Sequence, residues 1–386
     1  MGCARRVVAG AIAIAAVMHA SASAETAVIQ TERVAITVET LAKGLDHPWA
    51  VEPLPDGALL VTERSGQLKL YRDGKLSIVR GLPPLWAKVQ GGLLDVALSN
   101  DFEKDGIVFL TATQNYEGGI GTVVIRAKLA GNGGWLSHAR TIFRSARPDP
   151  VDHNFGSRIA VAPDGSLFVT VGDQAREKLA QDRFDHRGTV IHINADGSIP
   201  PGNPFRDGVD GLPEIWSYGH RNPQGITFDA KDGTLYTVEH GAKGGDEINR
   251  PEPGKNYGWP VISYGTDYDG SKIGIGTMAL GMEQPVHYWD PSIAPSSILV
   301  YRGDMFPEWN GNFLVSALKF ELISRLTRDA EGRIVGEERL LTDQFGRIRD
   351  IKEAPDGSLL AVTDDDDGLL LRIARHKTPA AGAEDP

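Results

Sequence analysis

Residues 55–62 read Pro-Asp-Gly-Ala-Leu-Leu-Val-Thr, and the unit returns at 163–170 as Pro-Asp-Gly-Ser-Leu-Phe-Val-Thr and at 355–363 as Pro-Asp-Gly-Ser-Leu-Leu-Ala-Val-Thr. A weaker copy, Lys-Asp-Gly-Thr-Leu-Tyr-Thr-Val, occupies 231–238. Asp-Gly is a strong tight-turn signal, and each copy runs into a short β-rich strand. Apolar segments precede the turns at residues 49–54, 158–162, 225–228 and 348–354. Each copy therefore predicts strand, Asp-Gly turn, strand. Hairpins scattered through a long chain argue for repeated antiparallel sheets, and radial repetition is the way a long all-β chain buries them face to face. The expected fold is an all-β propeller, with a pair of β-sandwiches as the alternative. The spacing is too irregular to give a blade number. Gly/Pro-rich residues 199–212 and 265–284 read as insertions, a common home for functional groups.

The chain of 386 residues is long enough for one large domain or two ordinary ones, and no internal linker divides it. A net charge of −11 argues against a nucleic-acid partner. At the N-terminus, Arg5-Arg6, an apolar run at 7–18 and Ala22-Ser23-Ala24 form the pattern of a cleavable export signal. The expected division is a leader at 1–24, one domain at 25–377 and a disordered tail at 378–386, with the mature protein periplasmic or secreted and without a membrane span. Loss of the leader would take the charge from −11 to −13 and remove Cys3, the sole cysteine. Thiolate catalysis and Cys-ligated zinc are then excluded.

Several polar groups fall at predicted strand ends. His153, in Asp152-His153-Asn154, precedes the strand that enters the second Pro-Asp-Gly turn. Histidine titrates near neutrality and suits a general base, although an ordinary surface histidine fits the same pattern. Asp173 follows the outgoing strand, where a hairpin would return it beside His153 to orient the ring. Arg347 and Arg349 share a strand face by the period of two, and either an anion lies between them or both are solvated. Lys319 ends another apolar strand, and Arg221 lies in Gly219-His-Arg-Asn-Pro-Gln-Gly225. Four such cations could converge on a polycarboxylate. Asp246-Glu247, followed by Tyr257, offers carboxylates among glycine loops, a pattern that suits calcium. The acidic run Asp364 to Asp367 reads as a solvated turn.

These residues resemble the soluble aldose sugar dehydrogenases that use pyrroloquinoline quinone, the glucose/sorbosone dehydrogenase family. The motifs are Gln90-Gly-Gly-Leu-Leu-Asp95, Asp152-His153, Gly219 to Gly225, Asp246-Glu-Ile-Asn249 and Asn256-Tyr-Gly-Trp-Pro260, and the likeness runs from Leu45 to Ile351. The resemblance implies a six-bladed β-propeller with the quinone in a cleft on one face. It implies His153 as catalytic base with Asp173 orienting it. Arg221 and Asn222 would contact the quinone, and Lys319, Arg347 and Arg349 would hold its carboxylates. Gln90 and Asp152 would lie near cofactor and sugar. Gly241 and Ala242 would offer backbone carbonyls to a catalytic Ca²⁺, and Glu247, Tyr257 and Asp267 would form a second, structural calcium site. Trp289, Tyr288 and residues 176–179 would line the sugar pocket. This chain has one residue more than some members between His153 and Arg158, alanine at 242 where some have proline, and a less acidic stretch at 243–245.

The implied activity is oxidation of aldoses at C1 to aldonolactones. The base takes the anomeric hydroxyl proton, and the hydride passes to C5 of the calcium-polarised quinone. The expected partners are an aldose and an electron acceptor that the sequence does not identify, and the protein is expected to be a monomer or homodimer. A calcium-dependent propeller lactonase would need the same metal and histidine but no quinone. A non-catalytic binding propeller would need neither.

Overall fold

The computed structural model describes residues 25–377, so the expected leader and tail lie outside the described residues. Six antiparallel sheets follow one another along the chain. Blade 1 comprises Pro48–Pro53, Leu59–Glu63, Gln67–Arg72 and Lys75–Val79, and blade 2 Leu93–Leu98, Ile107–Tyr116, Gly119–Leu129 and Leu136–Arg144. Blade 3 comprises Gly156–Val161, Leu167–Val171, Thr189–Ile193 and Ile215–Tyr218, and blade 4 Asn222–Phe228, Leu235–His240, Asp246–Asn249 and His287–Trp289. Blade 5 holds Pro295–Val300, Phe313–Ala317, Leu322–Arg328 and Ile334–Leu340. Blade 6 takes Ile348–Glu353, Leu359–Thr363 and Gly368–Arg375 from the C-terminal end, and the N-terminal strands Ala35–Leu45 and Thr26–Gln30 complete it. The first strand of each blade packs against the first strand of the next, and that of blade 6 against that of blade 1. This is the expected β-propeller, with six blades.

The repeated sequence unit is the first hairpin of a blade. Asp56, Asp164, Asp232 and Asp356 each accept the amide two residues on, from Ala58, Ser166, Thr234 and Ser358. The following glycine takes the left-handed conformation that the turn demands, as at Gly165 with φ +84°. The apolar residues after the turn form the second strand, buried on both faces between neighbouring blades. Threonines on second strands also tie blade to blade. Thr62 donates to Leu94 O, Thr111 to Ser157 O and Thr170 to Pro223 O, each hydroxyl accepting an amide from its own blade's first strand. Ser296 Oγ reaches Ile348 O between blades 5 and 6, and Asp350 accepts Val51 N between blades 6 and 1.

The two faces of the ring differ. The Asp-Gly turns lie on one. On the other, first strands begin and second strands end, and there every blade carries a β-bulge: Trp49, Leu94–Asp95, Ser157–Arg158, Gln224, Ser296 and Arg349 are the irregular positions. Bulges bend a strand and re-aim its side chains, so polar groups concentrate at one mouth of the ring. The predicted insertion at 199–212 lies on the turn face. Residues 250–286 instead leave the turn face and run beside Ile215–Tyr218, through the bonds Tyr218 N–Lys255 O, Tyr257 N–Tyr218 O and Trp259 N–Gly219 O. They reach the bulged face at Trp259.

Candidate active site

A cleft of about 230 Å³ opens on the bulged face, lined by Trp49, Arg64, Gln90, Asn154, Arg221, Asn222, Gln224, His240, Tyr268, Arg347, Arg349 and Asp364, among others. Most lie around the starts of first strands or the ends of second strands, which is how six blades contribute to one cavity. A larger groove of about 430 Å³ lies beside the Asp-Gly turns, lined by Leu54–Asp56 and residues 102–106. Its charged groups are exposed or already bonded to neighbours, as Asp56 to Arg72 and Asp105 to Ser99, so the smaller cleft is the candidate site.

Four guanidinium groups line this cleft, on Arg64, Arg221, Arg347 and Arg349. Arg349 is buried, donating to Gln224 Oε1 at 2.9 Å and to Asp364. Arg347 is half exposed, 3.8 Å from the same carboxylate. The anion that two neighbouring arginines require is thus Asp364, a member of the acidic run expected to be a solvated turn. Burial opposes its charge, but Arg349, Arg64 and Arg347 hold its carboxyl far below the usual range. Arg221 lies 5.3 Å over the Trp259 ring, and its amide donates to Glu239. His240 at the cleft wall is pushed down to about 3 by burial, then by Arg221 and Arg349, so it is neutral at physiological pH. Arg221 Nε, Arg349 Nε and His240 Nε2 are buried without a hydrogen-bond partner, three polar groups suited to a polar ligand.

His153 stands beside the cleft, half exposed, next to Asn154. Its Nδ1 lies 2.8 Å from Asp152 Oδ1. An ionised carboxylate only accepts, so Nδ1 carries the proton and Nε2 keeps a free lone pair. Gln90 braces this segment, its side-chain oxygen accepting Asn154 N and its amide donating to Asp152 O. The expectation that Asp173 orients His153 is corrected by these bonds. Asp173 is buried and accepts instead from Asn154 Nδ2, Ala175 N and Trp259 Nε1. Burial raises its carboxyl, with Arg221 the main opposing influence. Asn222, also buried, accepts Gly156 N and thereby fixes the entry of blade 3.

A second, small pocket adjoins, lined by Arg221, Glu239, His240, Gly241, Gly245, Glu247, Tyr257 and Ser263. Glu239 and Glu247 face each other across paired strands. Desolvation, then the charge of Glu239, pushes Glu247 up to about 8. Asn249 Nδ2 bridges the pair, and Tyr257 stacks on His220 and bonds Arg250 O. Two crowded carboxylates with hard oxygen neighbours fit a divalent cation. Glu239 escaped the sequence reading, because only pairing with Glu247 reveals it. Gly241 donates to Asp246, and Ala242 is buried against Ala180 and Trp259.

Three expected residues lie elsewhere. Lys319 points outward, its ammonium 5.0 Å over the Phe320 ring, although Leu318 lines the cleft. Positive φ at Phe320 and Glu321 marks the turn that carries the chain away. Trp289 is buried between blades 4 and 5 and donates to Glu337, so it packs the core rather than a substrate pocket. Asp267 caps its own turn at Tyr268 and does not line the pocket that holds Glu247; burial, then Asp173 and Asp267, raise the carboxyl of Glu177. Among the other sugar-pocket residues, Tyr288 stacks on Tyr264 and Arg176 is clamped by Asp149.

No helix among the described residues is long and apolar enough to cross a membrane. The family model described as glucose/sorbosone dehydrogenase matches residues 45–372. The chain is 38% identical to the aldose sugar dehydrogenase YliI of Escherichia coli K12, over 88% of this chain and 93% of that one. The crystal structure of the soluble aldose sugar dehydrogenase of Escherichia coli, in the apo-form, superposes with a TM-score of 0.85 at 38% identity, covering 88% of this chain and 100% of that one. The PQQ-bound aldose sugar dehydrogenase of Streptomyces coelicolor gives a TM-score of 0.72 at 29% identity, covering 91% of this chain and 99% of that one. The chain belongs to the glucose/sorbosone dehydrogenase family.

Proposed function

We propose that this protein oxidises aldoses at C1 to aldonolactones with pyrroloquinoline quinone and Ca²⁺ as cofactors, in the periplasm or outside the cell. The observation that carries the reading is the convergence of four guanidinium groups on one cleft beside the His153–Asp152 pair. A tricarboxylate quinone suits that charge, and Arg221, Asn222, Arg347 and Arg349 would hold it, with Gln90 and Asn154 at its edge. Glu239, Glu247 and Tyr257 would bind a calcium ion, and the Gly241 and Ala242 carbonyls would bind the one nearer the quinone. Bound there, the quinone with its Ca²⁺ supplies the hydride acceptor.

The chain's own groups do the rest. His153 Nε2 takes the proton of the anomeric hydroxyl, while Asp152 fixes the tautomer and stabilises the imidazolium as it forms. Arg221 places a fixed positive charge where negative charge accumulates. A lactonase working on a neutral ester would have no use for this arginine cluster. The test is reconstitution of metal-free, quinone-free protein with pyrroloquinoline quinone and Ca²⁺, followed by dye reduction with a panel of aldoses. Activity should require both additions. Sugar oxidation without them would overturn the reading.

A further inference from the structure

Asp364 is the one carboxylate among the charged groups lining the cleft. One oxygen pairs with Arg349 and lies 3.8 Å from Arg347. The other lies 3.0 Å from His47 Nδ1 and 3.9 Å from Arg64 Nη2. Its amide donates to Arg347 O, so backbone and side chain fasten the acid to the same cations. Arg64 follows the second strand of blade 1, and His47 follows the N-terminal strand that completes blade 6. Three separate stretches of chain thus meet on this one carboxylate.

We propose that Asp364 is the resident counter-ion of Arg64, Arg347 and Arg349, that it sets how many negative charges the cleft takes from its ligand, and that Arg64 is a further anion-binding residue. The inference rests on the polyanion-cofactor reading above and deepens it. Three guanidinium groups sharing one wall repel, and burying Arg349 without a partner would be strongly unfavourable. Asp364 removes that penalty in the ligand-free protein. Once a ligand carboxylate arrives, the same charge repels it. Four arginines against one aspartate leave an excess of three cationic side chains among the groups that line the cleft. A tricarboxylate balances that count.

The experiment compares wild type with Asp364→Asn, Arg64→Gln and the double variant. Binding of pyrroloquinoline quinone is followed by fluorescence quenching, and binding of citrate, a redox-inert tricarboxylate, by thermal shift. Asp364→Asn should melt lower without ligand yet bind both probes roughly tenfold tighter, the effect of one nearby charge partly screened by water. Arg64→Gln should bind both more weakly by a similar factor, and the double variant should return close to wild type. Weaker binding by Asp364→Asn would show that the acid only positions Arg349, overturning the counter-ion. Should Asp364→Asn not fold, unchanged binding by Arg64→Gln would still overturn the proposal, and weakened binding would support it. Wild type that binds citrate but not the quinone would sink the cofactor reading and leave this one standing. Wild type that binds neither would sink both.

Discussion

The 2.8 Å contact between His153 Nδ1 and Asp152 makes a prediction that separates chemistry from packing. His153→Gln should leave quinone binding nearly intact and lower kcat by about 10²–10⁴-fold, the usual cost of losing a general base. Asp152→Asn should lower kcat less, because the base remains while its tautomer and charge support are lost. Asp173→Asn should act differently, since Asp173 bonds Asn154 and Trp259, not the histidine. Its effect should appear in cofactor affinity and stability more than in kcat. Steady-state kinetics on quinone-saturated variants across pH reads these apart. A His153→Gln enzyme within a few-fold of wild-type kcat would remove His153 from the mechanism. The sequence showed His153 because a polar triplet before a strand is a local signal. It could not show Asp152 as its partner over Asp173, because both are near in sequence or fold and only the loop conformation decides.

At the scale of the element, blade 3 buries a titratable group on its third strand. His192 stacks on Phe168 at 4.0 Å and meets Trp216 edge-on at 5.2 Å, with Asn203 and Ser166 taking its two nitrogens. Burial lowers its pKa, opposed by the Asn203 hydrogen bond. The unfolded chain has the ordinary value of about 6.5. Above that pH both states are neutral and the burial is fully stabilising. Below it the unfolded chain takes a proton that the folded chain refuses, so stability falls as pH drops toward the lowered folded value. Urea midpoints measured from pH 7.5 to 5 should therefore fall less steeply for His192→Gln than for wild type. Equal slopes would show that His192 contributes no such linkage. The hairpins of these blades were legible because their turns are local: an Asp accepts the amide two residues on, and a Gly supplies the positive φ. The bulges were not, because an extra residue is defined only against a partner strand. Trp289, placed in the sugar pocket by the family resemblance, sits on a strand that pairs without a bulge and turns it into the core between blades 4 and 5.

For the whole molecule, the repeat pattern carried the radial repetition and the family resemblance the six blades, but neither carried the closure of blade 6 by Ala35–Leu45, since strands so far apart along the chain give no periodic signal. The sequence also hid what joins the blades at their axis. Arg158, at the bulge of blade 3 and almost fully buried, lies 4.0 Å over the Trp49 ring. It donates to the carbonyls of Trp49, Gln224, Ser296 and Arg349, which belong to blades 1, 4, 5 and 6. Its charge is met by Asp95 of blade 2 at 3.3 Å and Asp350 of blade 6 at 3.0 Å. One planar fork thus satisfies carbonyls that the bulges free from their ladders, and it reaches every other blade. Arg158→Met would fill most of the volume yet leave two buried carboxylates and four carbonyls without it. The expected loss is about 3–5 kcal/mol, as when one partner of a buried ion pair is removed. Arg158→Lys keeps the charge but cannot span the same acceptors, so it should recover only part of that loss. Because the Arg349 and Gln224 carbonyls are among those held, both variants should also bind the quinone more weakly at temperatures where they remain folded. Denaturant unfolding with parallel quinone titration measures both effects. An Arg158→Met protein as stable as wild type would mean that the blades hold their ring by sheet packing alone.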